Sequence, residues 1–83
     1  MKAIQVRYLA ETDTKPTRIK AWAFGWKPIT WAIHGDYGII EQECDLVRSL
    51  CLEYDLDPEL ERGMLPNGDS VFVITRYKEV QDV

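Results

Sequence analysis

His34 is the only histidine of this chain, and Asp36 follows it two residues later. Such a pair is the beginning of a proton relay, in which the imidazole takes a proton from a nucleophile and the carboxylate holds the ring in the right tautomer. A relay also needs a serine or cysteine on a glycine-flanked turn, and the sequence offers none beside it. His34 therefore reads as a sheet-edge or capping side chain. The acid pairs Glu41/Asp45 and Glu59/Glu61 have the spacing of a general acid and base, but nothing near them in the sequence would drive their pKa values apart. The five glycines are scattered singly through turns, so there is no phosphate-cradling loop. Cys44 and Cys51 stand seven residues apart in a predicted helix, about 10 Å along its axis. A disulfide needs Cα atoms within about 7 Å, so they read as small, buried, reduced side chains. No CxxC or HxxxH spacing supports a metal. The sequence thus predicts no catalytic residue, no metal and no cofactor. What remains is binding.

The elements that would position a binding surface follow from periodicity. KAIQVRYL alternates as a strand, with Ile4, Val6 and Tyr8 on one face and Gln5 and Arg7 on the other. AETDTKPT is a loop by composition. In RIKAWAF, Ile19, Ala21 and Ala23 share a face, while Arg18, Lys20, Trp22 and Phe24 share the opposite one. Gly25-Trp26-Lys27-Pro28 is a hairpin turn. ITWAIH then places Ile29, Trp31 and Ile33 together, which assigns Trp31 to the core. After the turn at 35–38 the period becomes 3.6: Ile40, Cys44, Val47, Cys51 and Tyr54, flanked by Leu50, form the stripe of a helix over about 39–54. Asp57-Pro58 reads as a cap and first residue of a short helical turn ending near Gly63. Pro66-Asn67-Gly68-Asp69 turns into the final strand SVFVITRY, with Met64 and Leu65 as a possible short partner strand. The prediction is one α+β domain over 1–83. A mainly antiparallel sheet of four strands, or five, carries one helix packed on one face, in the order β-β-β-α-β.

Composition bounds the setting. Eighty-three residues leave room for one core. No apolar run nears the roughly 20 residues of a membrane helix, and MKAIQVRYLAETD lacks an apolar signal core, so a cytoplasmic chain is expected. The net charge of −4 hides a division. Residues 1–35 carry six cations against Glu11 and Asp13, a net of +4, whereas residues 36–83 carry twelve acids against four cations, a net of −8.

Three segments resemble small uncharacterised proteins of phages, plasmids and integrated mobile elements of Gram-negative bacteria. KAIQVRYLAETDTKPTRIKA is similar to their opening, a KAI strand and a T-x-T loop leading to an Arg-Ile strand. The middle alternating strand followed by an acid-containing helix is similar in placement, and GMLPNGDSVFVI resembles their closing turn and aromatic-aliphatic strand. Lys15-Pro16-Thr17 departs from the pattern, as do the tryptophans. The resemblance implies a mobile-element setting, with interference in or service to host machinery, and supplies no site residues.

Two surfaces are candidates for a partner. On the sheet face away from the helix, Arg7, Arg18, Lys20, Trp22, Phe24 and Trp26 mix cations with aromatic rings, with Arg76 as a possible addition. That composition suits a protein hot spot or, alternatively, nucleic-acid bases and phosphates. A pI of about 4.8 weighs against nucleic acid. A homodimer through the open sheet face would also hide Trp22. The second candidate is an acidic band of Glu41, Asp45, Glu53, Asp55, Glu59 and Glu61, able to meet a basic surface as a phosphate mimic would. The expectation is a non-enzymatic protein-binding accessory protein, with inhibition of a host function as one form that role can take.

Overall fold

The computed structural model describes residues 2–33, 35 and 38–79, with side chains up to residue 76. His34, Asp36 and Tyr37, and with them the reading of His34 as a cap, lie outside the described residues, as do residues 80–83. The elements are β1 (Ala3–Leu9), β2 (Arg18–Trp22), β3 (Ile29–Ala32), α1 (Ile39–Glu53), β4 (Leu56–Met64) and β5 (Ser70–Glu79). The strands form one antiparallel sheet in the order β3-β2-β1-β5-β4, and α1 packs on one face, chiefly against β4. The architecture is the expected α+β one, with five strands.

Strand parity sorts the faces. Val6 lies opposite both Ala21 and Ser70, and Ile4 lies opposite Phe72. Ile4, Val6, Ile19, Ala21, Ala23, Phe72 and Ile74 therefore meet Leu46, Val47, Leu50 and Cys51 of the helix in one buried core. Burial pushes the Cys51 thiol up to about 11 and raises that of half-buried Cys44, so both free cysteines keep their protons at neutral pH.

Three expectations need correction. Residues 56–64 are a strand, not a capped helical turn. Asp55 takes a left-handed conformation (φ 60°) directly after the helix, which ends α1 and sends the chain straight into β4. Pro58 is tolerated there because β4 is an edge strand. The helix stripe is rotated: Gln42, Glu43, Leu46, Val47, Leu50 and Cys51 are buried, whereas Ile40 is 49% exposed. Leu46 and Leu50 remove more apolar area from water than Ile40 and Cys44 would, and turning them inward carries Glu43 inside. Finally, Trp31 lies opposite Ile19 and so on the helix side, but it is 36% exposed and outside the core cluster. It sits on the short edge strand β3, and Tyr8, opposite Ile19 on the other flank, is 60% exposed where β1 has run past its pairing with β5.

Candidate protein-binding surface

On the face away from the helix, Gln5 of β1 lies between Trp22 of β2 and Val71 of β5, and Arg7 lies opposite Lys20. Trp22 is half-buried. Its ring has the Arg7 guanidinium carbon 5.3 Å and the Lys20 ammonium 5.7 Å from its centroid, both within reach of a cation–π attraction. A groove of about 440 Å³ opens beside it, lined by Trp22, Trp26, Arg7, Lys20, Leu9 and Pro28. Four of the six residues expected on this surface, Arg7, Lys20, Trp22 and Trp26, thus line one groove through strand parity and the hairpin turn. Arg18 lies beside it, two residues from Lys20 on the same face of β2, whereas Phe24 is not among the lining residues.

The cations are not equivalent. Arg7 donates from Nε and Nη2 to the Asp69 carboxylate at 2.9–3.2 Å, and the same carboxylate accepts from Gln5 at 2.7 Å and from Asn67 at 3.3 Å. The Arg7 hydrogen bonds hold the Asp69 carboxyl below its ordinary value, against the opposing effect of desolvation. A lowered folded value stabilises the fold above the ordinary carboxylate range, and the contribution is lost as pH falls through the folded value. Asp69→Asn is therefore expected to lower stability at neutral pH, with the gap to wild type closing on acidification; urea midpoints across a pH series measure it. A gap that does not change with pH excludes Asp69 as the titrating group.

The aromatic residues also divide. Trp26 stacks on Tyr54 at 4.5 Å between centroids and 5° between planes, with the Lys2 ammonium 4.5 Å from the ring centre. The Tyr54 hydroxyl accepts from the Lys27 backbone N–H at 2.7 Å. Trp26 is thus a clamp tying the hairpin to the helix end, and only its edge contributes to the groove. Phe24 is 95% exposed, beside Gly25 (φ 80°) in a turn closed by the Trp26 N–H bonding to the Ala23 carbonyl at 3.1 Å. Positive φ at the third turn residue is what glycine supplies, and it leaves Phe24 at the tip.

All six residues of the acidic band are exposed, but the fold spreads them out. Glu41 and Asp45 are one turn apart near the start of α1, and Glu53 stands about 18 Å along the axis from Glu41. Asp55 is in the connection, and Glu59 and Glu61 straddle a register shift in β4, where Glu59 faces Arg76. Arg76 thus belongs to this far side and not to the groove.

A second feature lies on the helix side. The Ser70 hydroxyl donates to Glu43, 2.5 Å from Oε1 and 3.0 Å from Oε2, and Arg62 Nη2 donates to Ser70 Oγ at 2.9 Å and lies 3.5 Å from Glu43 Oε1. These three sit at the floor of a notch of about 110 Å³ whose rim includes Tyr8, Ile39 and Met64, all exposed. Sequence reading does not reach it, because the partners that bury Glu43 lie 27 and 19 residues away in the chain.

Among the described residues no three His, Cys, Asp or Glu side chains are placed to hold a metal ion, and no helix is long and apolar enough to cross a membrane. Compared with known proteins, the chain matches no family model, no curated protein and no solved structure.

Proposed function

We propose that this chain is a non-enzymatic protein-binding module that engages its partner through the Trp22 groove. The observation that carries the reading is a large aromatic held half-exposed between two cations at the side of a groove of about 440 Å³. A desolvated tryptophan ringed by arginine and lysine is the composition of an interface hot spot. The resemblance of the opening and closing segments to mobile-element proteins supports a phage or mobile-element accessory role, with inhibition of a host function as its form. Trp22→Ala is expected to weaken partner association by about tenfold or more while costing about 1 kcal/mol or less of stability, because the ring covers an open face and not the core. Affinity capture with wild-type and variant baits, beside thermal melts of both, measures this. Identical captures from the two baits would remove the groove from function, and collapse of the variant fold would place Trp22 in the core.

A nucleic-acid module is the second reading, favoured by the uncompensated cations Arg18 and Lys20 next to an aromatic ring. It predicts binding of generic single-stranded DNA that falls steeply with salt, and an absence of binding at about 50 mM salt excludes it.

A further inference from the structure

The groove, lined by Lys20, and the strand beside it, which carries Arg18 two residues away, hold a charge demand that the described residues do not meet. Arg18, Lys20 and Lys27 have no carboxylate within 4.0 Å among the described residues, where the only such pairs are Arg7–Asp69 and Arg62–Glu43. Arg18 Nε is moreover buried without a hydrogen-bond acceptor. An orphaned buried donor is a standing cost that a fold seldom keeps without reason. Two positions away in the sheet, Arg7 shows how such a group is satisfied here, by a carboxylate taken side-on through Nε and Nη2.

We propose that the occupant of the Trp22 groove is an acidic segment of a partner protein. Its carboxylates go to Arg18 and Lys20, and an apolar or aromatic side chain seats against Trp22, Leu9 and Pro28. The inference rests on the protein-binding reading above and specifies the partner's chemistry. Charge complementarity selects this occupant over two others. A second copy meeting the same face would set Arg18 and Lys20 against their own equivalents, and like charges at an interface core repel. A long polyanion crossing the sheet would leave the cationic strands after about 10 Å, at roughly 4.8 Å per strand, and meet Asp69 and then Glu61, which lies opposite Val73 on the open face. A short acidic segment confined to the β2–β1 side meets neither penalty.

The test is selection of a displayed random peptide library on wild type, Trp22→Ala, Lys20→Glu and Arg18→Glu, each first checked for a wild-type melting profile. Wild type is expected to enrich peptides combining Asp or Glu with an aromatic or aliphatic residue. A synthetic copy of the strongest should bind more weakly as salt rises, and about tenfold or more weakly to Trp22→Ala and Lys20→Glu. The two charge reversals should each shift enrichment away from acidic peptides, and agreement between them guards against one variant misfolding. Enrichment of uncharged or basic peptides by wild type overturns the acidic partner alone. Equal enrichment on Trp22→Ala, or none on any chain, overturns the protein-binding reading beneath it. Tighter binding of oligothymidine than of the selected peptide assigns the face to nucleic acid, and a dimer that Trp22→Ala dissociates in sedimentation assigns it to a second copy; either overturns the proposal.

Discussion

Glu43→Ala is expected to destabilise the domain by about 3 kcal/mol, a quarter or more of the 4–12 kcal/mol that roughly 0.05–0.15 kcal/mol per residue allows for a chain of this size. The Glu43 side chain is 7% exposed, and both of its oxygens lie within reach of the Ser70 hydroxyl. Removing it leaves the buried Ser70 hydroxyl without its acceptor and takes the carboxylate from Arg62, whose Nη2 keeps only its bond to Ser70 Oγ. That is the costly way to break such a group, because the Ser70 hydroxyl stays buried with its donor unpaired. Glu43→Gln keeps the shape and one acceptor oxygen but loses the charge facing Arg62, so about half the cost is expected. Ser70→Ala combined with Glu43→Leu should recover much of it, since matched apolar replacement removes donor and acceptor together. Urea midpoints at neutral pH, with unchanged m-values, provide the measurement. A Glu43→Ala chain as stable as wild type would mean that the carboxylate is solvated, and with that the notch would lose its polar floor.

Glu43 also marks where the sequence stopped being legible. The open-face set came out of strand parity because alternation fixes which side chains share a face once a strand is recognised, and β2 alternates throughout while β1 does so as far as Val6. The helix was recognised by its period, but its rotation was set by apolar names alone, which favoured Ile40 over a glutamate. The burial of Glu43 depends on Ser70 and Arg62, 27 and 19 residues away, and no local pattern carries that information. β4 was legible in principle. Leu56, Pro58, Leu60, Arg62 and Met64 alternate with Asp57, Glu59, Glu61 and Gly63, yet the Asp-Pro pair pointed to a helix start. The partnership that decides it, antiparallel pairing with β5, lies in the tertiary structure. Trp31 shows the reverse limit: its face was read correctly by register, but how far the helix reaches over an edge strand has no local sequence signal.

Trp26→Ala is expected to cost about 3 kcal/mol, a fall of about 12–24 °C in melting temperature for a domain of this size, although its residue lies in a turn. The ring fills the angle between the β2–β3 hairpin and the end of α1, where it packs against the core cluster and stacks on Tyr54. Truncation removes the area that ring covers and an aromatic pair worth about 0.5–1.5 kcal/mol beyond area. It also frees Tyr54, whose hydroxyl no longer has a fixed position from which to accept the Lys27 N–H. Trp26→Phe keeps a ring over Tyr54 and should lose less than half as much. The contrast with Trp22→Ala is what separates the two tryptophans. One variant should lose association with little change in melting, and the other should lose melting first, with weaker association following only because the groove wall has moved. If Trp26→Ala instead melts like wild type and binds less well, the stack is a surface ornament and Trp26 joins Trp22 as a docking residue. If both variants melt like wild type and bind alike, the groove they line is not where the partner sits. Among the three tryptophans, then, Trp26 holds the hairpin in place, Trp31 lines an exposed sheet edge, and Trp22 is left as the ring whose exposure the fold itself does not require.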